Sequence, residues 1–424
     1  MVPPLTGRDA RRFFRPPMSN YLLLVGAVFC LGGAFGIQIP LFANFIHERF
    51  GIETHQYGYM EALREVPGFL TAFVGALVMI VPAVRLGMLS LLVMGIGMAA
   101  YAWATPLAEL LGGSGVLALI LISVFWSLGF HTWAPLQNTL ALQFAPTAEK
   151  GRWLGWLRTA SGIGNLSLMG LALLLIGRLE YEGMFLFAGG LLLLGAIAIG
   201  AAKPARSAHA VPLPERRLLL RRRYGVYYLL TFLSGARKQI FLMFAVWQLV
   251  KEHGVARETI LTLMIVNQVA NLLLSPTVGK LVDRFGERLT LSVSYVLLTL
   301  VFTGYALVPS VGARYLSEAA ILWTLYILYV VDNLLFVGAI ALTTYVNKIA
   351  PPEEIRPTLT MGVTMNHIPS VLVPLIGGWM WSELGPVPVF LGGALFAMMS
   401  LTATQWVRPE QQRYPLPPEA QPAD

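Results

Sequence analysis

Nine ionisable side chains stand inside long apolar stretches of this 424-residue chain: Glu61, Arg64, Glu65, His131, Arg158, the neighbours Arg237 and Lys238, Asp332 and His367. A charge at the centre of a bilayer costs about 2.5–3.5 kcal/mol on insertion scales, so each is a candidate for function. Two chemistries are on offer. A carboxylate taken out of water favours its neutral form and can carry a proton, which points to Asp332 first, Glu65 second and then Glu61. A guanidinium grips a carboxylate or phosphate through parallel N–H donors, which makes Arg64, Arg158 and Arg237 candidate anion ligands. With Lys238, four basic groups stand against three acids. That balance favours an organic anion as the partner of the site.

Helical spacing groups these residues further. Glu61 and Glu65 are one turn apart, with Arg64 on their flank. Arg158, Ser161 and Asn165 form one stripe, Asn267 and Asn271 a second with Gln268 beside it, and Thr360, Thr364 and His367 a third. Trp133, Gln137 and Asn138 add an aromatic ring and two amides near His131. The expected substrate ligands are therefore Arg64, His131, Gln137, Arg158, Asn165, Arg237, Gln268, Asn271 and His367. Plainer roles compete with these. Glu61 and Arg64 could be a structural ion pair, and Arg158 could snorkel towards the water near Arg152. The histidines could be packing residues, and the amide stripes could simply join helices. Adjacent positions point about 100° apart on a helix, so Arg237 and Lys238 do not both face one ligand, and Asp332 either pairs with one of them or takes a proton.

The elements that must hold these groups are membrane spans. The chain is 56% hydrophobic and only 12% charged, against about 25% charged for soluble domains; so much apolar surface needs lipid as its solvent. A helix crossing the hydrocarbon needs about 20 apolar residues. On that ruler twelve spans run over 20–46, 57–83, 86–106, 114–144, 153–177, 183–202, 224–250, 258–281, 289–309, 316–347, 357–381 and 387–406. A polar N-terminal segment, 1–19, precedes them and looks unlike a cleavable signal. Residues 203–223 form a basic, Pro-containing linker between a six-helix bundle over 20–202 and another over 224–406. The Pro-rich segment 407–424 reads as a disordered tail.

Most of the 30 Lys and Arg lie in the N-terminal segment, the linker, the tail and alternate loops, while the opposite loops hold only Arg49, Arg178, Lys251, Arg257 and Arg314. The positive-inside rule then predicts cytoplasmic termini in a multi-pass plasma (inner) membrane protein. The basic residues mark topology and do not form a nucleic-acid face. The lone cysteine, Cys30, excludes an internal disulfide.

Segments of the two bundles correspond at a nearly constant offset. HERFGI ending the first span matches KEHGV ending the seventh at 203, Gly75 matches Gly279 at 204, and Asn138–Pro146 matches Thr343–Pro351 at 205. Internal repeats of this kind are typical of secondary transporters.

After span eight stands Gly279-Lys-Leu-Val-Asp283-Arg284-Phe-Gly286-Glu-Arg288. It resembles the G-x-L-x-D-R-x-G-x-R loop of the major facilitator superfamily, which joins the second and third helices of each half. The resemblance implies an all-α fold of twelve spans in two pseudo-symmetric halves, with a tight glycine turn and with Asp283 and Arg284 pairing with helix ends at the cytoplasmic face. The counterpart after span two is eroded: Gly75 and Leu77 remain, but Met79 and Pro82 replace the Asp and Gly. Spans three, six, nine and twelve carry no ionisable residue, and in that family these four helices face lipid. The marks of its drug–proton antiporters are missing, because Phe125 stands where span four would carry Arg and Ser161-Gly162-Ile163-Gly164 lacks the Gly-Pro pair.

The reading is a proton-coupled secondary transporter of a small solute, monomeric, needing no metal or cofactor and working by alternating access. An exporter of drug-like compounds and a lysolipid flippase are the alternatives within the same fold. A membrane enzyme is a remote one, because the six histidines are scattered and there is no Gly-x-Ser-x-Gly elbow or P-loop.

Overall fold

The computed structural model describes residues 16–69, 81–145, 149–203, 220–336 and 340–408. Residues 1–15, most of the basic linker (204–219), the tail from 409, and Gly75, Leu77 and Met79 of the eroded loop lie outside the described residues. Among the described residues nearly all are helical and none is in a strand.

The helices, in chain order, are α1 (Pro16–Phe50), α2 (Thr54–Phe69), α3 (Ala83–Ala100), α4 (Ala104–Leu110), α5 (Gly115–Phe144), α6 (Lys150–Ala201), α7 (Gly225–Gln239), α8 (Arg257–Leu307), α9 (Glu318–Leu335), α10 (Ile340–Ile349), α11 (Pro352–Leu384) and α12 (Pro386–Thr404). Two of them are far too long for one crossing. At 1.5 Å per residue the 52 residues of α6 and the 51 of α8 would each run about 77 Å, more than twice the hydrocarbon thickness. Each is two spans joined at one non-helical residue, Glu180 in α6 and Gly286 in α8. Span seven continues from α7 through π-helical turns over Ile240–Ala245 and Gln248–Glu252. Span ten comprises α9 and α10. Counted so, the architecture is the twelve-span, all-α fold that hydropathy and the loop motif predict.

The repeat is written in the backbone as well as in the sequence. Spans one and seven end on glycines at positive φ, Gly51 (57°) and Gly254 (60°). Each is followed by the same nested pair of hydrogen bonds: Gly51 N–H to the His47 carbonyl with Ile52 N–H to that of Ile46, and Gly254 N–H to Val250 with Val255 N–H to Leu249. A left-handed residue after a helix lets the orphan carbonyls of the last turn find donors, and glycine adopts it without a Cβ penalty. Spans four and ten begin on serine N-caps 203 residues apart, Ser114 accepting from Leu117 N–H and Ser317 from Ala320 N–H. Gly32 meets the Ser161 carbonyl oxygen and Gly235 that of Asn366, each so closely that a Cβ would overlap it. Spans one and five thus pack as spans seven and eleven do.

The described chain forms two compact units. The first contains Met1–Ile52, Leu63–Leu213 and Ala256–Ile265; the second contains Glu53–Ala62, Pro214–Val255 and Val266–Asp424. The opening ten residues of spans two and eight have therefore each joined the unit built mainly from the other sequence half. In the second unit, Thr54 Oγ1 accepts from Trp247 Nε1 at 2.8 Å, Glu53 pairs with Lys251, and Gly58 lies against the backbone at Pro374 and Gly378. In the first, Arg257 donates to both oxygens of Glu180, at 2.7 and 3.2 Å, and its guanidinium lies 4.8 Å from the centre of the Tyr181 ring. That guanidinium holds the Glu180 carboxyl below the usual glutamate range.

The loop motif departs from expectation in detail. Gly279 is inside the helix, and the left-handed turn belongs to Gly286 (φ 77°). Asp283 and Arg284 are exposed, Arg284 lying over its neighbour Phe285. The expected pairing falls instead to the residues after the turn. Glu287, 1% exposed, is 2.8 Å from Lys348, and Arg288 donates to Gln405 at 2.9 Å. Past the bend at Gly286 the Glu287 carboxylate is buried against Lys348, whereas Arg288 meets Gln405 at an exposed position.

Replacing Gly51 or Gly254 by Ala should lower the stability of detergent-solubilised protein by about 1 kcal/mol each, read as a lower melting temperature. Unchanged melting in both variants would mean these caps do not hold the helix ends.

Candidate functional site

Two clusters of polar side chains form on separate units, each around an ion pair. In the first unit, Arg64 on α2 lies 2.8 Å from Glu65, its own neighbour. The Arg64 guanidinium is 5.7 Å from the centre of the Trp126 ring, a distance at which a cation is attracted by the ring's quadrupole. Trp126 is fixed from behind, where its Nε1 donates to the Tyr101 hydroxyl at 2.9 Å and that hydroxyl shares a 2.7 Å hydrogen bond with Ser123. Ser127, on the next position of α5, donates to the Arg64 carbonyl at 2.5 Å. The second half of α2 and the aromatic wall are thereby tied together.

Other expected ligands of this unit have packing partners. His131 is buried with its ring 5.1 Å from that of Phe130. Gln137 is half-buried and accepts from Trp133 Nε1 at 3.0 Å. Asn165 donates to the Gly32 carbonyl at 3.2 Å, so it serves the joint between spans one and five. Arg158 is exposed and does not join the Arg64 cluster. Glu61 is buried, on the α2 segment that belongs to the second unit.

The second unit holds the most enclosed charges. Arg237, 5% exposed, donates to the Asp332 carboxylate at 2.6 Å and to the Asp332 carbonyl at 2.7 Å; Asp332 itself is 0% exposed. The double contact has a local cause. Asp332 stands in the last turn of α9, where carbonyls lack intrahelical donors, and Arg237 satisfies one of them while meeting the side chain. Arg237 itself comes just before the π-helical turn of span seven that opens at Ile240, a local widening common at functional positions. The guanidinium lies 3.6 Å from the centre of the Phe336 ring, and Phe241 stacks on Tyr329 beside it.

Lys238 points elsewhere, as adjacent helical positions require, and donates to Asn366 Oδ1 at 3.3 Å; Asn366 in turn donates to the Thr231 carbonyl. Asn271 donates to the side chain of Asn333, the residue after Asp332. Gln268 and His367 are half-buried nearby in sequence, each close to a member of these clusters. A cavity of about 20 Å³, lined by Ser234, Arg237, Ser294, Tyr295 and Phe336 among others, adjoins the guanidinium; it has room for about one water. Among the described residues no three His, Cys, Asp or Glu side chains gather as metal ligands.

The structure therefore brings Arg237 and Asp332 together, joins Arg64 to Glu65, and separates Arg237 from Lys238. Sequence reasoning missed Asn333, Asn366, Trp126 and Phe336. The two asparagines adjoin Asp332 and His367, so the cost of an intramembrane polar group could have flagged them; nothing in the spacing marks the two rings.

Comparison with known proteins completes the description. No curated protein sequence matches the chain. Among solved structures, a mutant form of the nucleoside transporter NupG superposes with a TM-score of 0.74 at 16% identity, covering 92% of this chain and 99% of that one. A bacterial homolog of the human lysosomal transporter Spinster, in an inward-facing and occupied conformation, gives 0.70 at 12%, covering 95% and 99%. A POT family transporter in complex with a thioalcohol-conjugated peptide gives 0.67 at 13%, covering 91% and 94%. The profile of the Major Facilitator Superfamily matches twice, over residues 24–227 and again over 227–423. Matched along almost its whole length and sharing the fold of these transporters, the chain belongs to the Major Facilitator Superfamily.

Proposed function

We propose that this protein is a proton-coupled secondary transporter that moves a small organic anion across the plasma membrane by alternating access, as a monomer with cytoplasmic termini. The observation that carries the reading is the Arg237–Asp332 pair, fully enclosed in spans seven and ten.

An isolated ion in such a place is very costly, whereas a paired one is tolerable. The pair thus has two balanced arrangements. In one, Asp332 is ionised and holds Arg237. In the other, Asp332 takes a proton, and the guanidinium accepts the carboxylate or phosphate of a substrate in its place. Net charge is the same in both, so the proton and the anion enter together without leaving a bare charge in hydrocarbon. Lys238, which donates to Asn366 within the same unit, supplies a further cation for the rest of the solute.

Two measurements test this. In proteoliposomes under an imposed pH gradient, Asp332→Asn should abolish gradient-driven accumulation of organic anions while leaving exchange down a concentration gradient; accumulation at the parental level in the variant would remove Asp332 from the coupling role. In thermal unfolding, Arg237→Leu should cost about 3–5 kcal/mol by leaving Asp332 buried and alone, and adding Asp332→Leu should recover most of that loss. Additive losses in the double variant would mean that the two side chains do not depend on one another.

A further inference from the structure

Glu180 is the one non-glycine residue at positive φ among the described residues, at φ 51° and ψ −170°. That region suits glycine, and a residue with a Cβ stays there only when its surroundings hold it. The second half of the chain makes the same turn 205 residues later, between α11 and α12, and there Gly385 occupies it at φ 81° and ψ −177°. A glycine at 180 would make this turn without strain, so the glutamate needs a reason in its side chain.

Its carboxylate supplies one. It receives both terminal nitrogens of Arg257 and stands 3.9 Å from Arg49, which also reaches Glu182 at 3.3 Å. Tyr181 sits beneath both guanidinium groups and donates its hydroxyl to Glu48 at 2.8 Å. Arg257 opens the segment Ala256–Ile265, the part of span eight that belongs to the first unit while the rest of that span belongs to the second. The matching segment Glu53–Ala62 is docked by Trp247 and Lys251, and the turn at Gly385 bears no side chain. The device is therefore on one side only.

We propose that Glu180 is a strained catch for the start of span eight. While Arg257 is engaged, the bidentate pair holds Glu180 in a conformation it does not favour; when Arg257 withdraws, the turn relaxes. The strain opposes the ion pair and keeps the docked arrangement from becoming too stable to leave, so that both arrangements remain populated. The inference rests on the alternating-access reading, because a catch needs a segment that departs.

The test measures exposure of that segment without any substrate. In protein whose sole cysteine is removed by Cys30→Ala, Ile260→Cys places a thiol at a position 1% exposed when the segment is docked. Labelling by a water-soluble maleimide should be slow in this parent, and Glu180→Gln or Arg257→Gln should each speed it about fivefold or more. Rapid labelling of the parent, or a rate unmoved by both substitutions, would overturn the catch. Glu180→Gly and Glu180→Ala both remove the carboxylate and differ only in the Cβ, so the alanine variant, which takes the docked turn only at a cost, should label faster than the glycine variant; equal rates would overturn the strain. Faster labelling in the variants of a protein that performs no gradient-driven transport would support the catch and count against the transport reading instead.

Discussion

Hydrocarbon offers no hydrogen bonds, and the rest of this molecule follows from that. Backbone groups must be satisfied within each span, which leaves helices as the solution for a chain of this composition, and every charged side chain must bring its own partner. Both demands are visible at particular positions of the described structure. Where α9 ends in its span and frees carbonyls, Arg237 takes up one of them along with the Asp332 carboxylate. Where spans one and seven end, Gly51 and Gly254 bend the chain so that following N–H groups turn back to the last carbonyls. Charge and backbone are settled by the same demand.

This is why the architecture was largely legible before any coordinates. The 20-residue ruler finds the spans because solvation enforces it, and the breaks at Gly286 and before Pro386 coincide with residues that punctuate helices in any sequence. The turn at Glu180 was legible only as a polar gap between apolar runs. Nothing in a Leu-Glu-Tyr-Glu stretch announces a left-handed residue, because its conformation is imposed by partners distant in the chain.

Partner choice was less accessible still. Spacing groups Glu61, Arg64 and Glu65 on neighbouring faces, yet which acid meets Arg64 depends on how α2 is rotated and on the ring of Trp126 across from it. The same holds in the loop motif, where the side-chain contacts expected of Asp283 and Arg284 are made by Glu287 and Arg288 beyond the bend at Gly286. Sequence periodicity gives relative angles along one helix. It does not give the absolute rotation, which is fixed by packing such as Gly32 on Ser161 and Gly235 on Asn366.

The two halves keep one backbone plan while their chemistry diverges, and the divergence bears on which pair could transmit a conformational change. Arg64 and Glu65 are consecutive on one helix, so any rigid movement of α2 carries both and leaves their separation unchanged. Arg237 and Asp332 stand on different spans and join the end of α7, just before the π-helical stretch, to the end of α9. Relative motion of those two spans must lengthen that contact, and lengthening it exposes both a charge and an unsatisfied carbonyl. Protonating Asp332 removes the first of these costs, and an incoming anion on Arg237 offsets the other side of the pair. A pair held between helices is thus sensitive to conformation and to protonation together, whereas a pair within one helix is sensitive only to protonation.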